Sequence, residues 1–135
     1  MTTNPSAEAP LAFVYDRCAT TNLAMLELRL AALAEYVEER HWRLGGRFVD
    51  YGDDALIRDM RPQFEQLLAA IESHPGQERL CLVFNWGRLS HDVEHRQTFT
   101  HRVLGVGGWL ETLDGESARI GSVPDGRLTC GPVVV

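Results

Sequence analysis

The stretch Leu11-Ala12-Phe13-Val14-Tyr15-Asp16-Arg17-Cys18-Ala19-Thr20-Thr21-Asn22 decides the fold. Its first five residues form a short apolar run that turns polar at Asp16, the pattern of a strand buried inside a sheet. Thr20-Thr21-Asn22 then offers side-chain oxygens that can accept from the first free N–H groups of a helix. Beyond it Leu23, Leu26, Leu30, Leu33 and Val37 recur at three- and four-residue spacing, and Ala24, Ala31, Ala32 and Ala34 raise helix propensity. The spacing predicts a helix over residues 22–40 with one apolar face.

The alternation continues along the chain. Residues 42–49 read as a second strand, and residues 50–60, with Gly52, Asp53 and Asp54, as a loop. Pro62 suits the first turn of a helix. Phe64, Leu67, Leu68 and Ile71 give that helix its apolar face, and His74-Pro75-Gly76 ends it. Leu80-Cys81-Leu82-Val83-Phe84 is another buried-type strand, followed by a polar loop over 85–90 and a helix ending near Leu104. Residues 109–113 read as a fourth strand, closed by the turn dipeptide Asp114-Gly115. Residues 1–10 read as a flexible leader and 117–135, with Pro124, Asp125-Gly126 and Gly131-Pro132, as a tail with a weak hairpin, leaving a domain over 11–116. Strands alternating with helices imply right-handed crossovers and a mainly parallel sheet.

Composition narrows the function classes. The 135 residues carry 19 acids against 13 bases, a net charge of −6, and every base is arginine. A net acidic domain is a poor general binder of DNA, because affinity for the backbone comes from neutralising phosphates. Contact with DNA would be local or supplied by a partner. No apolar run approaches the roughly 20 residues that cross a bilayer. The first ten residues lack the basic start and apolar stretch of a secretory signal, which places the chain in the cytoplasm. Cys18, Cys81 and Cys130 are far apart and odd in number, so reduced thiols are expected.

Ligands of open parallel sheets sit beyond the carboxyl ends of the strands. Those ends carry Asp16-Arg17-Cys18-Ala19 and Asn85-Trp86-Gly87-Arg88. Arg17 and Arg88 could converge there on one anion, since planar guanidinium forks match phosphate oxygens. Arg61, at a helix start, could join them. The competing arrangement pairs these arginines with Asp16, Asp50, Asp53 or Asp59. His91 and His95 lie four apart on one helix, a spacing able to bind zinc, but no third ligand is evident and a solvated face is the simpler reading. Arg88, His91, His95, Arg96, His101 and Arg102 make that region locally basic, diluted by Asp92 and Glu94. Trp86 stands beside Arg88 on the same loop.

At these residues a family resemblance emerges. Tyr15-Asp16-Arg17-Cys18-Ala19-Thr20 resembles the opening motif Tyr-x-Arg-x-Ser-Thr of the serine-type site-specific recombinases, the resolvase/invertase family. Phe48-Val49-Asp50 is similar to the family strand that ends in aspartate. Arg61-Pro62-Gln63-Phe64-Glu65-Gln66-Leu67-Leu68 is similar to a family helix start, and Arg88-Leu89-Ser90-His91 to its Arg-Leu-Ser-Arg run. Gly105-Val106 and residues 110–113 resemble the closing strand. Each motif is short; their order and spacing over residues 11–116 carry the likeness.

The resemblance implies a three-layer α/β domain, a mainly parallel sheet of four to five strands with helices on both faces. It implies DNA strand cleavage and rejoining through a phosphoserine link, with arginines at the positions of Arg17, Arg61 and Arg88 holding the phosphate. No cofactor and no metal are expected. Three positions depart: Ala19 stands where the family has its nucleophilic serine, Gly87 where it has aspartate, and His91 where it has the last arginine. The expectation is a catalytically inactive regulatory or interaction module whose partner is DNA, bound weakly and locally, or an intact recombinase. Two other readings stay open: an active recombinase using Cys18, Thr20 or Thr21 as substitute nucleophile, and an unrelated α/β module binding a phosphorylated ligand. The stretch after Glu116 carries no helix-turn-helix signal and no candidate for the family's long dimer helix.

Overall fold

A computed structural model describes residues 8–18, 23–51, 61–90 and 92–120. Chain order is β1 (Leu11–Cys18), α1 (Leu23–Glu39), β2 (Arg43–Tyr51), α2 (Pro62–Glu72), β3 (Arg79–Val83), α3 (Trp86–Leu89), α4 (Val93–Gly105), β4 (Trp109–Thr112) and β5 (Ser117–Ala118). The strands form one sheet in the order β2-β1-β3-β4-β5. The first four run parallel, and β5 returns antiparallel to β4.

All eight residues of β1 are buried, because strands flank it on both sides and helices cover both faces. Alternate side chains therefore feed two cores. Leu11, Phe13 and Tyr15 meet Phe64, Leu67 and Ile71 of α2, Leu89 of α3 and Phe99 and Val103 of α4. Ala12 and Val14 meet Leu33, Tyr36 and Val37 of α1, with Leu80, Leu82 and Trp109. Each fully buried Leu, Ile or Phe contributes about 1.5–3 kcal/mol by leaving water, so the two helix layers hold the sheet from both sides.

Helix α1 follows its expected stripe through Leu26, Leu33 and Val37 and adds Tyr36, while Leu23 stands 51% exposed. The helix closes through His41 N–H to Glu38 C=O (3.0 Å) and Trp42 N–H to Val37 C=O (3.1 Å), with His41 at φ 59°. This is a left-handed helix end at which glycine is usual. In β2 the register skips Gly45, because Ala12 pairs with Leu44 and Phe13 with Gly46. A Cβ on Gly45 would fall 2.5 Å from the Phe13 ring, so the bulge gives that ring its space. Arg79 joins the ends of two helices, donating to Ile71 C=O (2.9 Å) and Gly107 C=O (3.2 Å).

Three local expectations are corrected. β2 runs on to Tyr51, so Asp50 belongs to the strand and not to a loop. Residues 85–90 are not an open polar loop: the Asn85 side chain accepts from Arg88 N–H and closes one helical turn, α3. The sheet also continues past Glu116, since Ser117–Ala118 pairs with β4 around a turn at Asp114-Gly115 and Ala118 is buried. Among the described residues no helix is long and apolar enough to cross a membrane.

A candidate anion site at the carboxyl edge of the sheet

The carboxyl end of β1 places Arg17 opposite Asp50 of β2. β3 ends beside it and α3 carries Arg88 back toward β1, while Arg61 arrives as the residue preceding α2. Arg17 Nη2 lies 3.4 Å from Gly87 C=O, and Arg88 Nη1 donates to Arg17 C=O (3.1 Å). Arg61 Nη1 donates to Leu89 C=O, and its guanidinium lies over the Phe99 ring, 4.2 Å from the centroid. Arg17 and Arg61 are each 5% exposed, so their charges face a weakly screening interior. Burial lowers the Arg17 pKa from its ordinary value, and the neighbouring charges of Arg61 and Arg88 lower it further. Arg17 thus feels the charges of both Arg61 and Arg88, a repulsion that an oxyanion would relieve.

The aspartates nearest in sequence bond chiefly to other groups, although Asp16 also pairs with Arg88. Asp16 is 0% exposed and receives both arms of Arg29 from α1, at 2.7 and 2.9 Å. Arg88 Nη1 stands 4.0 Å from the same carboxylate. Asp50 is buried and accepts from Tyr15 Oη–H (2.7 Å), Gln63 N–H (2.9 Å) and Phe64 N–H (3.2 Å). It therefore caps α2 from a strand, while the side chain of Arg61, the residue before the helix, makes no capping bond. The Tyr15 phenol is held well above its usual range, mainly by burial; Arg61 pulls the other way and Asp50 reinforces the rise.

Alternation separates the two faces at this edge. Arg17 shares the face of Tyr15 and Phe13 toward α2, whereas Asp16 and Cys18 turn toward α1. Cys18 is buried there and interacts with Arg29. Ala19, Thr20, Thr21 and His91 lie outside the described residues, as do Asp53 and Asp59. His95 lies near Asp92 (3.9 Å), whose carboxylate caps α4 through Glu94 N–H and His95 N–H. Among the described residues no group of three histidine, cysteine or acidic side chains could hold a metal. Trp86 Nε1–H donates to Glu116 (2.8 Å) and fastens α3 to the β4–β5 turn. A groove of about 610 Å³ opens beside β2 between Glu27, Arg47, Tyr51 and Gln63; the arginine trio does not line it.

Arg29 and Glu111 are structural anchors that the sequence reading did not single out. Glu111 is buried and accepts from Tyr36 Oη–H (2.6 Å) and Trp109 Nε1–H (3.0 Å), with Arg40 (3.5 Å) and Arg119 (3.8 Å) above it. Asp16 lies 13 residues from Arg29 in sequence, and Tyr36 lies 75 residues from Glu111.

The architecture is that of the catalytic domains of serine recombinases. The N-terminal catalytic domain of TP901-1 integrase superposes with a TM-score of 0.66 at 19% identity, covering 79% of this chain and 80% of that one. A resolvase family site-specific recombinase from Streptococcus pneumoniae gives 0.64 at 17%, covering 88% and 75%. The C-terminal catalytic domain of ISC1926 TnpA, an IS607-like serine recombinase, gives 0.65 at 17%, covering 78% and 69%. No curated protein sequence matches the chain. Residues 12–130 match the family model of the resolvase N-terminal domain, and the chain belongs to that family. The reading as an unrelated α/β module falls with that match.

Proposed function

We propose that this chain is a non-cleaving member of the serine recombinase family that holds a DNA phosphate at Arg17, Arg61 and Arg88 without forming a covalent link to it. The observation that carries the reading is Ala19, a methyl group at the position where the family motif has the attacking serine. In another covalent enzyme, loss of the nucleophile lowers turnover about a millionfold, equivalent to roughly 8 kcal/mol of barrier. His91 at the position of a family arginine removes a further anion-stabilising group, which can cost about 3 kcal/mol. The remaining guanidinium groups bind charge but supply no oxygen or sulfur to attack phosphorus.

Cys18 is the nearest chemical substitute, and its place on the α1 face, away from Tyr15 and Arg17, argues against it. The net charge of −6 favours weak, local contact with DNA or action through an intact recombinase. In this reading the protein works in the cytoplasm as a regulatory or interaction module.

The test is incubation with supercoiled DNA carrying recombination sites, followed by a denaturing gel for covalent protein–DNA adducts. No adduct is expected, together with salt-sensitive DNA binding that weakens in Arg17→Gln. An adduct abolished by Cys18→Ala or Thr20→Val would overturn the non-cleaving reading. Absence of any DNA binding at low salt, together with a pull-down that finds no partner, would overturn the binding role.

A further inference from the structure

Arg29 lies outside the arginine trio, on a helix of the opposite layer, yet the geometry points to it as a positioning residue for Arg88. The inference rests on the anion-site reading above and concerns how that site stays available. Asp16 is the fully buried carboxylate next to Arg17, and it faces α1. Arg29 closes on it with two charge-assisted hydrogen bonds of 2.7 and 2.9 Å, and only 11% of the Arg29 side chain is exposed. Arg88 Nη1 stands 4.0 Å from Oδ1 of the same carboxylate, attracted to it but bonded instead to Arg17 C=O at 3.1 Å.

A buried carboxylate stripped of its partner is strongly unfavourable, and the structure around it moves to supply another cation. Arg88 is the guanidinium already within 4.0 Å, and a quarter of its side chain is exposed, so it has room to move. Asp16 sits on the face away from Tyr15 and Arg17. Arg88 drawn onto it would leave the trio. By saturating Asp16, Arg29 keeps Arg88 at the end of β1, where its charge adds to those of Arg17 and Arg61. Two residues with no anion contact of their own thereby set how many arginines the anion meets.

Inorganic phosphate titrated against the full chain, followed through the arginine Nε–H resonances, tests this. Arg29→Gln is expected to weaken phosphate binding about tenfold and to bring Arg88 into direct contact with Asp16 in its crystal structure. The double variant Asp16→Asn with Arg29→Gln, which removes the orphaned charge, is expected to restore binding to within about twofold of the parent. A purely structural role for Arg29 gives no such rescue. Phosphate binding lost in Arg17→Gln but unchanged in Arg29→Gln, or a double variant as weak as Arg29→Gln alone, overturns the role of Arg29. Phosphate binding indifferent to both Arg17→Gln and Arg88→Gln overturns the anion site itself, and this inference with it.

Discussion

Replacing Asp50 by alanine should cost the protein about 3 kcal/mol, although Asp50 is a single polar residue at the end of an edge strand. The carboxylate accepts from Gln63 N–H (2.9 Å), Phe64 N–H (3.2 Å) and Tyr15 Oη–H (2.7 Å). Loss of a helix cap costs about 1 kcal/mol. A buried hydroxyl left without an acceptor costs roughly 1–3 kcal/mol more, and Tyr15 is fully buried, so water cannot replace the lost partner. For a chain of this length that sum lowers Tm by roughly 10 °C. Urea unfolding followed by circular dichroism reads it, with the slope held fixed to show that only stability has changed. Tyr15→Phe keeps the cap and should cost about 1 kcal/mol. In the double variant the orphaned hydroxyl no longer exists, so the combined loss should fall short of the sum by roughly 1 kcal/mol. An Asp50→Ala variant that loses under 1 kcal/mol, or strict additivity with Tyr15→Phe, would refute the reasoning that one carboxylate joins β1, β2 and α2.

His41→Gly should stabilise the fold by up to about 1 kcal/mol, because glycine takes the φ of 59° at the end of α1 without steric cost; an unchanged Tm argues against it. Gly45→Ala should destabilise by about 1–3 kcal/mol in urea titration, since the new methyl group overlaps the Phe13 ring at 2.5 Å; a neutral result would mean that the bulge yields. At high pH the folded chain holds protons on the Cys81 thiol and on the Tyr15 and Tyr36 phenols, all raised chiefly by burial. The unfolded chain releases them from roughly pH 8.5 for the thiol and 10 for the phenols, so stability is intact below that range and falls as pH rises. Tm measured from pH 7 to 11 should drop from the thiol range onward, with Cys81→Ala delaying the fall to about pH 10; a level profile to pH 11 would contradict the burial of these groups.

The inner strands β1 and β3 were legible because they are buried on both faces and so read as plain apolar runs, Leu11 to Tyr15 and Leu80 to Val83. The α2 start was legible in Pro62. What stayed hidden depends on contacts between distant residues. Asp50 looks like a loop aspartate until the fold brings it to the first N–H groups of α2. Arg29 reads as one more charged residue on an amphipathic helix until Asp16 meets it from β1. α3 was missed because a single turn has no periodicity to recognise and rests on one Asn85 cap. The proposed role of residue 19 comes only from the family motif, since an alanine after a strand carries no signal of its own.

The central place of β1, with β2 and β3 on its flanks, has a consequence for how the trio breathes. Native-state amide exchange grades a protein from segments that open with little free energy to those that open only on global unfolding. Amides of the middle of β1, buried and paired on both sides, should fall in the last group, with Arg17 at the end of that strand. Arg88 rides on a single helical turn of four residues held by the Asn85 cap. An anion bridging the two should slow exchange in α3 far more than in β1, making that one turn the place where occupancy of the site is read.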